Sequence, residues 1–168
     1  MIDQNNRAQL HKLDEALELF HFAFRAFTAG PDAILAEYGL QRVHHRILYF
    51  VGRHPAISIN ALLRILGVSK QALNGPLRVL QENGLIQANQ DQLDRRIKRL
   101  SLSAKGQALE DELSNSQRQL MASVFDKTGE QAEEQWRTIM QQIAERQFAH
   151  LLTNRTAHSR PEQTGAQQ

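Results

Sequence analysis

Apolar residues recur at helical intervals along most of this chain, and the intervals divide it into segments. Leu10, Leu13, Leu17, Phe20, Phe24 and Phe27 step by threes and fours, the narrow seam of a coiled coil rather than the wider stripe of a globular helix. This predicts a first helix that begins between residues 4 and 9 and runs to about Ala29, where Gly30-Pro31 stops it. A short helical piece, DAILAEY, and a break at Gly39 follow. A seam at the N-terminus needs a partner helix, and a second protomer would supply one. From Leu40 to Gly52, Val43, Ile47, Leu48, Phe50 and Val51 alternate with Arg42 and Arg46. Arg53-His54-Pro55 closes this helix, because the residue before a proline avoids helical torsions.

The stretch from Ile57 to Ile86 reads as two short helices around a tight turn. Ile59, Leu62, Leu63 and Leu66 form one apolar face, which ends at Gly67, a residue that accepts the left-handed conformation of a helix stop. Ser69 then caps a second helix, whose stripe is Ala72, Leu73, Leu77 and Leu80. That leaves Lys70, Gln71, Asn74 and Arg78 facing outward, donors and amides able to pair with phosphates and with base edges in a major groove. The unit is a helix-turn-helix candidate. Pro76 lies beyond the first turn of the second helix and has no N–H for the carbonyl of Ala72, which predicts a bent but unbroken helix.

After Asn83-Gly84, the residues Leu85–Gln90 and Ile97–Leu102 flank the polar turn Asp91-Gln92-Leu93-Asp94-Arg95-Arg96. Two short strands around a basic turn make a hairpin directly behind the candidate recognition helix. Here the chain resembles the MarR family of winged-helix transcription factors. The likeness is carried by Ser69-Lys70-Gln71, Asn83-Gly84-Leu85-Ile86, Asp91-x-x-Asp94-Arg95-Arg96 and Leu100-x-Leu102-Ser103-x-x-Gly106, in that order and spacing. It extends more loosely from about residue 10 to about 152.

From Ser103, a candidate cap, a long helix is expected through Leu109, Leu113, Leu120 and Val124, with Glu110-Asp111-Glu112 exposed. Gly129 interrupts it, and a last helix carries Trp136, Ile139, Met140, Ile143, Phe148, Leu151 and Leu152. Residues 153–168 lack a hydrophobic pattern and read as a disordered tail. The expected fold is mainly α with a small β-wing: a winged helix-turn-helix DNA-binding lobe at 39–106, with a helical dimerisation lobe built from 1–38 and 107–152.

Charge distribution sharpens this picture more than its total does. The net charge is only +2, yet residues 38–109 hold eleven Lys and Arg against three acids, a balance of +8, while the flanks hold nine against fifteen, a balance of −6. No acid occurs between Glu37 and Glu82. A basic centre between acidic ends suits a polyanion-binding lobe with a separate assembly lobe. No run of eighteen apolar residues and no basic-then-apolar leader occurs, so neither a membrane span nor a secretory signal is expected. With no cysteine there is no disulfide, thiolate zinc site or cysteine redox switch, which fits a cytoplasmic protein.

The resemblance implies a homodimer on a near-palindromic stretch of double-stranded DNA. Ser69, Lys70, Gln71, Asn74 and Arg78 would face the major groove, with Arg95 and Arg96 of the wing at the minor groove or its phosphates and Asp94 orienting an arginine. It also implies repression released by a small aromatic or anionic ligand, for which Phe20, His21, Phe24, His44, His45 and Tyr49 are the candidate contacts. His44 and His45 are neighbours, about 100° apart on a helix, and cannot share one metal ion. No metal, no cofactor and no catalytic set of nucleophile, base and orienting group is expected. The alternative reading is a winged helix that binds an acidic protein and not DNA.

Overall fold

The structure, a computed structural model, describes residues 4–152, so the expected tail at 153–168 lies outside the described residues. The chain runs α1 (Gln4–Glu37), α2 (Arg42–Arg53), β1 (Ile57–Ser58), α3 (Ile59–Leu66), α4 (Lys70–Glu82), β2 (Ile86–Gln90), β3 (Lys98–Leu102), α5 (Ala104–Thr128) and α6 (Glu130–Leu152). It divides into two compact units between Met121 and Ala122.

In the first unit, β3 is the central strand of an antiparallel sheet of order β1-β3-β2. Ile57 lies opposite Leu100, while Ile86 and Ala88 lie opposite Leu102 and Leu100. The core gathers Leu35 from α1, Ile47, Leu48 and Val51 from α2, Leu62, Leu73 and Leu80 from α3 and α4, Leu85 and Leu100 from the hairpin, and Leu113 from α5, all almost fully buried. Each such side chain withdrawn from water contributes roughly 1.5–3 kcal/mol. This is a winged helix-turn-helix, as the order of motifs implied.

Four local expectations are corrected. The first helix does not stop at Gly30-Pro31; α1 runs unbroken to Glu37 with Pro31 inside it and absorbs DAILAEY. Pro31 leaves the carbonyl of Phe27 without its usual donor, and the side-chain amide of Gln117 on α5 donates to that oxygen at 3.3 Å. Gly30 is what allows α5 so close: a Cβ there would lie 2.2 Å from the Ser116 hydroxyl. The second correction is at Ile57, which begins β1, a two-residue strand too short to leave a period-two signature. The third is at Ala72, which is exposed and leaves the inner stripe of α4 to Leu73, Leu77 and Leu80. The last is at Glu110, which is buried and accepts from the Ser114 hydroxyl.

The second unit holds the end of α5, a turn at Gly129 in the left-handed region with φ of 88°, and α6. Phe125 meets Trp136 edge to face, ring centroids 5.5 Å apart. Phe148 departs from helical torsions and kinks α6 near its end.

Candidate nucleic-acid interface

The recognition unit is fixed by its caps. The Ser58 hydroxyl accepts from the N–H of Ala61 at 3.2 Å to start α3, which ends at Gly67 with φ of 64°. The Ser69 hydroxyl accepts from the N–H of Ala72 at 3.2 Å to start α4. It thereby places the helix, and because a hydroxyl that accepts one bond still has its own O–H to donate, Ser69 also remains able to meet a phosphate. With Leu73, Leu77 and Leu80 buried, α4 presents Lys70, Gln71, Asn74 and Arg78 to solvent, as its spacing predicted. Arg78 reaches Glu82 one turn on, Nε to Oε1 3.7 Å. Both side chains are exposed, and such a pair is weak enough to exchange for a phosphate. The helix continues through Pro76.

The wing has a rigid root and a set tip. At the root, the Ser103 hydroxyl donates to the carbonyl of Gly84 at 2.6 Å and accepts from the N–H of Gly106 at 3.0 Å, which also caps α5. Gly106 has to be glycine, because a Cβ there would stand 1.9 Å from the Leu85 carbonyl oxygen. At the tip, the Asp91 carboxylate accepts from the N–H groups of Leu93 and Asp94 at 2.9 and 3.0 Å and from Arg99 Nε at 2.6 Å. The Asp94 amide, then Arg99, then the Leu93 amide hold its pKa down at about 2. Asp94 in turn accepts from the backbone N–H of Arg96 at 3.0 Å, so it shapes the turn. Arg95 and Arg96 are exposed, and among the described residues neither has an acidic partner. Arg64 and Lys98, exposed cations to which the motifs assign no role, add to this charge.

The six candidate ligand contacts are not equivalent. Phe20, His21 and Phe24 are exposed on α1, and the Arg42 guanidinium lies 5.6 Å from the Phe24 ring centre. Arg42 also pairs with Asp32, Nε to Oδ1 2.8 Å, tying α2 to α1. His44 is buried, and its Nδ1 accepts from the N–H of Gln41 at 2.9 Å, closing the start of α2. His45 is buried beside Glu110 and Asp32, and its Nε2 has no hydrogen-bond partner among the described residues. Burial pushes both imidazoles below their usual range. Tyr49 is half-buried, edge to face with Phe50 and 5.0 Å from the Arg53 guanidinium. No group of three or more His, Cys, Asp or Glu able to hold a metal ion occurs among the described residues. None of the described helices is long and apolar enough to cross a membrane.

Known proteins match this arrangement. The family profile described as MarR family matches residues 38–97, from the start of the basic segment to the end of the wing turn. An HTH-type transcriptional regulator, PetP of Rhodobacter capsulatus, is 38% identical over 130 residues, covering 77% of this chain and 78% of its own. Two Staphylococcus aureus structures share the fold. MarR in complex with salicylate and kanamycin is 23% identical over 82% of this chain and 94% of its own, with a TM-score of 0.67. A MepR–DNA complex is 17% identical over 75% and 93%, with a TM-score of 0.62. By its match to the family profile across the recognition unit and its likeness to PetP over most of both lengths, this chain belongs to the MarR family.

Proposed function

We propose that the protein is a sequence-specific transcriptional regulator that binds duplex DNA as a homodimer, with α4 in the major groove and the wing at the minor groove. The observation that carries this reading is the two-sided build of α4, with Leu73, Leu77 and Leu80 buried behind an exposed row of Lys70, Gln71, Asn74 and Arg78. Such a helix gives up no core packing when it meets a base edge. Gln71 and Asn74 can pair with adenine, Lys70 and Arg78 with guanine or phosphate, and Arg95 and Arg96 with a narrow, strongly negative minor groove. The MepR–DNA complex has the same fold, which supports this use of the surface.

What α1 leaves uncovered supports dimerisation. Leu10, Leu13, Leu17, Phe20 and Phe24 are each at least half exposed in the single chain. A two-fold pairing through that seam would set the two α4 helices about 34–36 Å apart, one turn of DNA, on a near-palindromic site. The regulator is a repressor released by a small aromatic or anionic ligand, a mode supported by the salicylate bound to S. aureus MarR. With His44 and His45 committed to the interior and Phe20 and Phe24 given to the seam, His21 and Tyr49 are the candidate contacts left open to such a ligand. It would act by favouring a spacing of the two helices that does not fit DNA. The activity is one of binding, with no catalytic step assigned to the chain.

Band shifts on duplexes from the chain's own promoter region test the reading. Binding that weakens steeply with salt is expected, and absent or salt-independent binding overturns it. A winged helix used only for an acidic protein partner would instead leave DNA untouched while Lys70→Ala and Arg96→Ala abolish that partner's binding.

A further inference from the structure

The wing ends in a residue that basic-patch recognition does not need. Leu93 is 99% exposed, and among the described residues it is the one large apolar side chain so exposed anywhere from residue 39 to 119. The neighbouring backbone is fully specified without it. Asp91 accepts from two amides and from Arg99, Asp94 from the Arg96 amide, and the backbone closes from the N–H of Asp91 to the carbonyl of Ile97 at 2.9 Å. A polar side chain at 93 would serve the turn equally well, since the turn uses only its N–H. Both wing carboxylates are engaged by these bonds, so the tip offers outward one isobutyl group beside the free guanidinium groups of Arg95 and Arg96.

We propose that Leu93 is an apolar wedge that enters the minor groove beside the arginine contacts and partly unstacks one base step. Apolar side chains carried into a minor groove by flanking cations act in this way on other DNA-bending proteins. The steps that open most easily are pyrimidine–purine steps, TA and CA/TG. Leu93 therefore selects a flexible step at a fixed distance from the bases read by α4, so part of the operator is read by deformability, with no hydrogen bond to a base. The turn is set before binding, so little ordering is lost on insertion. This inference rests on the DNA-binding reading above.

Selection from a random-sequence duplex library by the full-length chain tests both and separates them. Wild type is expected to enrich a pyrimidine–purine step under each wing as well as the half-site bases. Leu93→Gln keeps the half-site and the salt dependence but loses the preference at the step, and its affinity for the wild-type site falls about tenfold. Leu93→Met retains both. With 2-aminopurine at that step of the selected site, fluorescence rises when wild type or Leu93→Met binds and stays flat with Leu93→Gln. Identical preferences and fluorescence for wild type and Leu93→Gln would overturn the wedge alone. A wild-type chain that enriches no duplex at low salt would overturn the wedge together with the function beneath it.

Discussion

Two exposed surfaces of this chain are opposites in chemistry. The outer row of α4 and the wing tip show Lys70, Gln71, Asn74, Arg78, Arg95 and Arg96, polar groups that water already solvates well. The seam of α1 shows Leu10, Leu13, Leu17, Phe20 and Phe24, which water solvates poorly. A lone chain can tolerate the first indefinitely, whereas the second demands cover. The difference teaches how each surface would be used: the apolar one for permanent assembly, where burial supplies the free energy, and the basic one for reversible contact, where salt and counterions set the balance.

The strongest way to break that contrast is to put charge into the seam. Leu17→Asp with Phe20→Asp should raise the dissociation constant of the proposed dimer at least about 1,000-fold, because the two apolar side chains on each protomer would contribute roughly 1.5–3 kcal/mol apiece. Sedimentation would read it, and an unchanged dimer would move the interface elsewhere. Gly106→Ala should act next in size, lowering stability by about 3 kcal/mol or forcing the wing root to shift, since its Cβ would overlap the Leu85 carbonyl. Urea unfolding would report the loss, and a variant as stable as wild type would show that the root yields.

A milder change sharpens the contrast without touching the fold. Lys70→Ala should leave the dimer intact and lower the slope of log affinity against log salt by about one for each phosphate contact removed. A variant that dissociates into single chains would mean that the two surfaces are not separate.

The smallest effect concerns pH. Burial depresses the pKa of His44 and His45, so the folded chain keeps them neutral while the unfolded chain takes up protons below about pH 6.5. Stability is therefore full above that pH and declines as pH falls through it. The urea midpoint should drop between pH 7.5 and 5.5 and drop less in His44→Gln with His45→Gln. Equal declines in both proteins would place the titrating groups elsewhere.

Much of the recognition unit was legible because its determinants are local. Ser69 caps the helix it begins, Gly67 ends the helix before it, and Leu73, Leu77 and Leu80 repeat at the helical period. Two of the misreadings have the opposite cause. Gly30-Pro31 reads as a stop until Gln117, ninety positions away, is placed against the Phe27 carbonyl. Glu110 reads as exposed from its acidic neighbours, and only the packing of α5 against α2 buries it. For the ligand candidates, the pattern of aromatics and histidines located the segments but could not separate His44, used as a cap, from Phe24, left in the open.

The proline within α1 has a mechanical consequence. A 34-residue helix is a rod about 50 Å long, and Pro31 is its natural joint. The borrowed amide of Gln117 meets the carbonyl that this joint leaves without a donor, so one turn of the rod draws its hydrogen bond from another helix. Should Gln117 let go, the Phe27 oxygen would lose this donor at the very turn where the proline has already removed its own.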